Sequence, residues 1–433
     1  MPWRLVISSQ IATSLQYPIQ VERIEKDLYA LAQYGYNPND KGIYRQGLTD
    51  VDMQARAWVK EQFEALGMNC FLDGVGNVCG RYLPPDRPEV SDRPAVLIGS
   101  HLDSVPAGGM FDGTLGVMAG MECVRVIAEN NIPINRPIEV IGTSEEEGRF
   151  GGMLGAQALT GNLTLEWLER AQDPNGESLK NALEKCGFNL HDALHAKRDP
   201  KSIRAFLELH IEQGPVLEIE KKSVGVVDGI SGVFKWLIKF VGKADHAGTA
   251  PMHMRSDAFM GVADFAHELS RIIDEDGSEY TRLTIGRVEL KPGFAHTIPG
   301  EAHFTLVGRD MDHQVMKDVA LSCNKVLSAI ARKHNLKFEY EQLSWLEPRH
   351  FSDELVGQVE RNAQAAQLDF MRMPSGAGHD CQFFADLVPT ALIFVQSVAG
   401  ISHAPDEWSH WDDIEQGANL LMKTVLDLCL EDN

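Results

Sequence analysis

We predict an α/β protein of two domains, because three features of the 433-residue sequence indicate that class. Four apolar runs are typical of buried strands, and a long amphipathic helix separates the first two, which is the alternation of an open, mainly parallel sheet. After about Lys221 the pattern changes to alternating strands with two helices. A chain of this length is also too long for one compact small domain.

The main domain is predicted to begin with a helix and two short strands. Residues 50–66 place apolar groups at helical spacing behind an Asp cap, and GMNCFLDGVGNVCGRYLP predicts two short strands broken by glycine. The long helix is predicted in GTLGVMAGMECVRVIAENN, and the buried strands in PAVLIGSHLDS, PIEVIGTSEEE, IRAFLELHIEQG and TALIFVQSVAGISH. Each strand ends in polar or acidic residues, and ligands of such folds gather at the carboxyl ends of strands. The polar stretch 173–185 is the nearest thing to a loose region.

The second domain follows from a change of period. VFKWLIKFVGKADH alternates like an antiparallel strand, residues 256–274 and 314–333 are predicted helices, and the further strands are RLTIGRVELK, EAHFTLVGRDM and FEYEQLSW. The order β-α-β-β-α-β predicts a compact, ferredoxin-like α+β domain inserted into the first. We place the inserted domain at 219–340 and the main domain at 1–218 and 341–433.

The acidic composition excludes two classes of partner. The chain has 40 Lys and Arg against 62 Asp and Glu, a formal net charge of −22. This charge disfavours a nucleic-acid backbone or an anionic membrane surface, and no window approaches the roughly 20 apolar residues that a spanning helix needs. We therefore expect no nucleic acid and no membrane as partner, and a small molecule as ligand.

Location and redox state follow from two further observations. The opening stretch MPWRLVISSQIATSLQYP has no sustained apolar core and no small-residue cleavage pattern, so we expect no secretory signal and a cytoplasmic location. The seven cysteines are scattered and form no CxxC pair, which argues against a disulfide framework and against a Cys-rich zinc site.

The first strand end carries the first candidate ligands. In GSHLDSVPAGGMFDGTLG, His101 offers a nitrogen ligand, Asp103 a carboxylate behind it, and Asp112 an oxygen ligand. The glycines of this loop allow Asp112 to approach the same point as His101. Taken alone, however, a histidine at a strand end is more often a hydrogen-bonded structural residue.

Three other strand ends add to the set. Glu145, Glu146 and Glu147 are either a solvated turn, the commoner fate of acidic runs, or a cluster that cations neutralise. The third strand delivers His210 and Gln213, and a loop after the fourth brings His403. Three histidines and two carboxylates suit two adjacent divalent ions with one bridging carboxylate, and Zn²⁺, Mn²⁺, Co²⁺ and Ni²⁺ all accept this set. A site of this kind, with a non-ligand Glu as base, hydrolyses amide-like bonds.

Six motifs occur along the chain in a recognisable order: GSHLDSVPAGGMFDG, SEEEGRFGG, HIEQGPVLE, HAGTAPM, SGAGHD and SHAPDEW. Together they resemble the hydantoinase/carbamoylase-type amidohydrolases of the metallo-carboxypeptidase and aminoacylase superfamily, a group that includes N-carbamoyl-L-amino-acid hydrolase, β-ureidopropionase and allantoate amidohydrolase. The resemblance covers about residues 40 to 430. It implies a metallopeptidase-like catalytic domain and an inserted dimerisation or lid domain, and hence a homodimer.

The resemblance also implies a role for each matching residue. Glu146 would be the general base, and His246 would hydrogen-bond the developing oxyanion, often in the site of the partner subunit. The metal ligands of one ion would be His101, Asp112 and His210, and those of the other Asp112, Glu147 and His403. The substrate would be held by Gln213, His379, Arg309 and the residue at position 296.

Position 296 departs from the family pattern. Relatives commonly have Asn in an N-x-I-P-G turn where this chain reads His296-Thr297-Ile298-Pro299-Gly300. In relatives that Asn helps to hold the substrate carboxylate. Because this chain has His296 instead, the family pattern does not indicate which substrate it binds. We predict hydrolysis of a linear N-carbamoyl or ureido acid. The alternatives are an N-acyl-amino-acid or dipeptide hydrolase with the same metals, or a metal-containing binding protein without turnover.

Overall fold

The computed structural model describes residues 17–431, and the chain divides into two compact units. Of the described residues, 17–228 and 351–431 form the main unit, and Gly229–His350 form the inserted unit. Both boundaries lie later than the expected 219 and 340, because Val224–Ile230 pairs with a strand of the larger sheet and Lys337–Leu346 pairs with a strand of the smaller one. The opening stretch for which no signal was expected lies, except for its last two residues, outside the described part of the chain.

Helices and strands are numbered here in chain order. The α-helices within residues 17–431 are α1 (Val21–Ala32), α2 (Asp50–Ala65), α3 (Thr114–Glu129), α4 (Leu154–Thr160), α5 (Leu165–Arg170), α6 (Leu179–Lys185), α7 (Leu190–Leu194), α8 (Val216–Ile219), α9 (Ala258–Asp276), α10 (His313–Lys333), α11 (Asp353–Ala365), α12 (Cys381–Phe384) and α13 (Trp411–Leu430). The strands are β1 (Asn69–Leu72), β2 (Val78–Tyr82), β3 (Ala95–His101), β4 (Ile138–Thr143), β5 (Ile203–Ile211), β6 (Val224–Ile230), β7 (Gly232–Val241), β8 (Asp245–His246), β9 (Arg282–Lys291), β10 (Thr297–Ile298), β11 (Glu301–Asp310), β12 (Lys337–Leu346), β13 (Arg349–His350), β14 (Phe370–Ser375) and β15 (Thr390–Val395).

The main unit is built on a mixed sheet with a parallel centre. Its strand order is β1-β2-β4-β3-β5-β15-β6, and β14 also pairs with β6. The four central strands β4, β3, β5 and β15 are parallel to one another, while β2 and β6 join them antiparallel. The prediction of an α/β fold with a mainly parallel sheet is therefore confirmed.

The central strands are buried because helices cover the sheet. Every residue of β3, β4 and β15 is buried, as expected for parallel strands whose side chains pack on both faces. Helix α3, whose residues are nearly all buried, packs against β3, β4 and β5, and α13 packs against β5 and β15. Since β3, β4 and β5 run in the same direction, their carboxyl ends lie at one edge of the sheet.

The polar stretch 173–185, which composition marks as the nearest thing to a loose region, includes a helix. It contains α6, which Ser178 caps by accepting a hydrogen bond from the backbone N–H of Asn181. Leu179, Ala182 and Leu183 are buried in a small apolar core that the short helices α4 to α7 share. The exposed polar residues of α6 lie on its outer face, and the polar residues 173–178 form a turn before the helix, which is why composition alone suggested a loop.

The inserted unit has the predicted β-α-β-β-α-β order. Its antiparallel sheet has the strand order β12-β7-β11-β9, and α9 and α10 pack against that sheet around a core that includes Phe234, Phe240 and Phe304. A separate two-residue pairing of β8 with β10 places His246 opposite Thr297. No helix in residues 17–431 has the length and apolar character needed to cross a membrane.

Candidate active site

The sheet brings the predicted polar residues of the main unit together. His101 ends β3, the three glutamates follow β4 one residue after its end, and His210 is the penultimate residue of β5. Strand β3 pairs in parallel with both β4 and β5, so these residues converge at one edge. His403 reaches the same place from the loop before α13.

Asp112 lies at the centre of the site. Its Oδ1 atom is 3.4 Å from Nε2 of His101 and 3.2 Å from Nε2 of His210. Its other oxygen, Oδ2, is 3.2 Å from Nε2 of His403, and that nitrogen is 3.4 Å from Oε2 of Glu147. Each oxygen of Asp112 therefore faces a different group of possible metal ligands, and Asp112 belongs to both groups.

The two buried histidines are held in the orientation that this arrangement needs. Nδ1 of His101 is 2.9 Å from the backbone carbonyl oxygen of Asp103, and Nδ1 of His210 is 2.8 Å from that of Ile211. With Nδ1 donating to a carbonyl, Nε2 is the nitrogen left to bind a cation.

The position of the Asp103 carboxylate differs from the expected one, which was behind His101. It accepts hydrogen bonds from the backbone N–H groups of Glu146 at 3.1 Å and Glu147 at 3.2 Å. The Asp103 carboxylate therefore holds the turn that carries the glutamates, while the Asp103 backbone oxygen is hydrogen-bonded to His101. The sequence could not separate these two roles because both atoms belong to the same residue.

Gly113 is required where the loop passes the His101 ring. Its φ is +69°, and a Cβ atom at this position would lie 2.4 Å from atoms of that ring. Its backbone N–H points at Nε2 of His210, 3.1 Å away. The loop therefore folds back toward His101, as the glycine pattern predicted.

The glutamates form a desolvated cluster and not a solvated turn. Ser144 and Glu145 are fully buried, and the side chains of Glu146 and Glu147 are only 10% and 8% exposed. Burial raises the pKa of Glu146 well above its ordinary value, and burial together with Asp112 raises the pKa of Glu147 to about 7. Such crowding of carboxylates is costly without cations.

The pKa values of the histidines reflect the same concentration of negative charge. Burial alone would lower the pKa of His101, but Glu146 and Asp112 outweigh it and raise that pKa well above the usual range. The hydrogen bond to Asp112 raises the pKa of His403 to about 9. Because N and O donors converge around a buried carboxylate cluster, the residues present fit divalent cations.

Two further predicted residues lie beside this cluster. The side-chain amide of Gln213 donates to Oδ2 of Asp112 at 3.1 Å and to Oγ of Ser402 at 3.2 Å. The ring of His379 packs edge-on against that of His210, with centroids 4.5 Å apart. Burial and the neighbouring His210 lower the pKa of His379 well below its ordinary value, so its imidazole is neutral.

The three predicted residues of the inserted unit do not lie together. His246 and His296 are exposed and adjacent, because the backbone N–H of Ala247 donates to the carbonyl oxygen of His296 at 3.0 Å. Arg309 lies near the opposite end of β11, eight residues beyond Glu301, which corresponds to roughly 26 Å of strand. Burial lowers the pKa of the Arg309 guanidinium.

Sequence reasoning missed several supporting residues. The buried guanidinium of Arg45 donates to the backbone oxygen of Leu102, and that of Arg56 donates to those of Gly142 and Thr143. Glu407 is buried next to Asp112. Only Glu407 carried a signal, since it belongs to the motif SHAPDEW.

The fold and the site together define a metallopeptidase-like hydrolase, and comparison with known proteins identifies its family. Residues 97–427 match peptidase family M20/M25/M40, and the chain belongs to this family. It is 35% identical to the N-carbamoyl-L-amino-acid amidohydrolase of Paenarthrobacter aurescens over 94% of this chain and 97% of that protein. It is 32% identical to the allantoate amidohydrolase of Escherichia coli (strain K12) over 92% of this chain and 96% of that protein.

Solved structures agree with this assignment. The crystal structure of an amidase of the hydantoinase/carbamoylase family from Burkholderia multivorans superposes with a TM-score of 0.89 at 32% identity, covering 96% of this chain and 100% of that one. The resemblance to the hydantoinase/carbamoylase group is therefore confirmed, and the chain is an enzyme of the amidohydrolase class.

Proposed function

We propose that this enzyme hydrolyses a linear C–N bond of an N-carbamoyl or ureido acid in a site that holds two divalent metal ions. The observation that carries the proposal is the position of Asp112, whose two oxygens face two different groups of ligands. The names of the relatives support the substrate class, since they include N-carbamoyl-L-amino-acid and allantoate amidohydrolases.

We assign the ligands according to these two groups. His101, Asp112 and His210 would hold one ion, and Asp112, Glu147 and His403 would hold the other. The donor set suits Zn²⁺, Mn²⁺, Co²⁺ or Ni²⁺. Bound there, such ions supply Lewis acidity toward a carbonyl group and lower the pKa of a water molecule.

Glu146 is assigned as the general base. Its Oε2 atom is 3.8 Å from Nε2 of His101, and it lies outside both groups that contain Asp112. In the reaction Glu146 takes a proton from the attacking water as the water oxygen bonds to the carbonyl carbon. It then gives that proton to the leaving nitrogen as the C–N bond breaks. Breaking one C–N bond of a carbamoyl substrate releases one nitrogen product and leaves a carbamic acid. That acid then loses carbon dioxide, so the final products are the amino acid, ammonia and carbon dioxide.

The remaining residues would bind the substrate. Gln213 and His379 lie beside Asp112 and His210 in the main unit, and there they would bind the ureido or carboxylate oxygens. His246 would donate a hydrogen bond to the oxyanion that forms on the carbonyl oxygen. Arg309 and His296 would hold the acidic group, a task that suits the planar fork of arginine.

The geometry of the inserted unit makes a homodimer part of the proposal. His296 and Arg309 of one chain are separated by most of the length of β11, so a small acid cannot touch both. Two copies of the chain solve this problem if the histidine end of one unit and the arginine end of the other meet at the same substrate. We therefore propose a homodimer whose sites are shared between subunits.

The experiment that tests the substrate class is a kinetic panel. The enzyme is reconstituted separately with each of the four metals and assayed on N-carbamoyl-L-amino acids, β-ureido acids, allantoate, N-acetyl amino acids and dipeptides. We expect a carbamoyl or ureido acid to give the highest kcat/KM. A higher value on acyl or peptide substrates would favour the rival hydrolase, and no turnover on any substrate would favour a binding protein.

A further inference from the structure

A buried glutamate joins the two loops that carry Asp112 and His403. Oε1 of Glu407 accepts hydrogen bonds from the backbone N–H groups of Phe111 at 3.1 Å and Asp112 at 3.2 Å. Oε2 accepts a hydrogen bond from Oγ of Ser402 at 2.8 Å. Ser402 precedes His403, so one carboxylate is bonded to the backbone of one ligand and to the neighbour of another.

An apolar contact strengthens the same connection. The fully buried ring of Phe111 packs edge-on against Trp408 with centroids 5.4 Å apart, and it also contacts Trp411 at 5.5 Å. The segment 407–411 therefore holds residues 111–112 through a carboxylate and through aromatic packing.

Gly109 shows that the approach of Glu407 is close. A Cβ atom built at Gly109 would lie 2.2 Å from Oε1 of Glu407. No side chain fits there unless the carboxylate moves. The glycines of this loop thus allow two close contacts. The backbone approaches His101 at Gly113 and Glu407 at Gly109.

The two groups of ligands differ in what supports them. His101 and His210 belong to central strands and are fixed by the sheet. Asp112 and His403 lie on loops, and the side chain of His403 is 50% exposed. The position of the Asp112–His403 pair therefore depends on contacts outside the sheet, and Glu407 supplies three of them.

We propose that Glu407 is a positioning residue that sets the affinity of the enzyme for the second ion, the one assigned to Asp112, Glu147 and His403. The inference rests on the two-ion site proposed above. Without the Glu407 carboxylate, Oδ2 of Asp112 and Nε2 of His403 lose their common support, whereas His101 and His210, the other two ligands assigned to the first ion, keep their strand positions.

Three variants test this role by metal binding. Glu407→Ala removes all three hydrogen bonds, Glu407→Gln keeps Oε1 for the two backbone N–H groups, and Gly109→Ala displaces the carboxylate without altering it. Removing a residue that orients metal ligands weakens metal binding by roughly 10- to 100-fold. We expect that loss for the second ion in Glu407→Ala and in Gly109→Ala, with Glu407→Gln close to the wild type.

A matched control is available at Asp73. Its Oδ1 atom accepts hydrogen bonds from the backbone N–H groups of Val75 at 3.0 Å and Asn77 at 2.9 Å. Its Oδ2 atom accepts a hydrogen bond from the side-chain amide of Asn77 at 2.7 Å. Asp73→Ala therefore removes the same kinds of bond from a loop that carries no proposed ligand. We expect this variant to be less stable but to hold two ions.

The measurement is a Zn²⁺ titration against a chromophoric chelator, with elemental analysis of the dialysed protein, the absorption spectrum of the Co²⁺-substituted protein, and circular dichroism to check folding. One retained ion in Glu407→Ala, with two in Glu407→Gln and Asp73→Ala, supports the proposal. Two ions bound with wild-type affinity in Glu407→Ala overturn it, as does an equal loss in Asp73→Ala. The wild type is titrated in parallel, and fewer than two ions there would instead overturn the two-ion site.

Discussion

Glu146 and Glu147 are neighbours in sequence but their carboxylates face different partners. Oε2 of Glu146 is 3.8 Å from Nε2 of His101, and Oε2 of Glu147 is 3.4 Å from Nε2 of His403. Their backbone N–H groups donate to the two oxygens of the same residue, Asp103. Asp103 thus fixes the turn so that adjacent residues serve separate tasks, a base and a ligand in the proposed mechanism.

The first prediction concerns these two glutamates. Glu146→Gln should keep two ions and lose roughly 100- to 10,000-fold in kcat, because it removes a base but no ligand. Glu147→Ala should lose an ion as well as activity. Metal analysis and steady-state kinetics on both variants decide the assignment. Equal loss of metal in the two would show that the roles have been exchanged.

The second prediction concerns the bridging carboxylate. Asp112→Ala should remove both ions, because each oxygen of Asp112 faces a different ligand group. The exposed Asp406, near His403 in the same loop, provides the control, and Asp406→Ala should retain both ions. Elemental analysis after dialysis gives the count. Two ions in Asp112→Ala would contradict the proposed site.

The third prediction tests whether subunits share sites. We expect a homodimer by analytical ultracentrifugation, and His246→Ala and Glu146→Gln should each have little activity alone. Mixed dimers of the two variants should regain activity, because one of their two sites combines an intact Glu146 with an intact His246 of the other chain. A fully active monomer, or no recovery in verified mixed dimers, would refute a shared site.

The fourth prediction concerns the acidic group of the substrate. Arg309→Lys should lower kcat/KM roughly 10- to 100-fold, because lysine keeps the charge but loses the bidentate hydrogen bonds. The same loss is expected when wild-type enzyme acts on the amide or ester of its substrate. If the variant discriminates against the neutral analogue as strongly as the wild type does, Arg309 does not hold that group.

The fifth prediction uses the departure at position 296. His296→Asn restores the residue common in relatives and should shift preference toward ordinary N-carbamoyl-L-amino acids. The preference order across the substrate panel is the measurement. An unchanged order would mean that His296 does not set substrate choice.

The sequence predicted that the candidate ligands lie close together because these residues follow apolar runs. His101, Glu147 and His210 lie at or just after the ends of strands that pair in parallel, so pairing alone brings them together. The ferredoxin-like unit was predictable for a similar reason, since the period of its strands differs from that of its helices.

The supporting contacts could not be predicted in the same way. Arg45 and Arg56 donate to backbone oxygens as distant in sequence as Leu102 and Thr143, and no periodicity marks such partners. The domain boundaries shifted for a related reason: β6 has a strand pattern, but nothing in its sequence tells which sheet it joins.

The unequal exposure of the three imidazoles around Asp112 has a kinetic consequence. The side chains of His101 and His210 are 4% and 1% exposed, whereas that of His403 is 50% exposed. Solvent therefore reaches the ligands from the His403 side. If two ions bind as proposed, the outer one should exchange with a labelled isotope first, while the ion between His101 and His210 stays trapped until its neighbour has left.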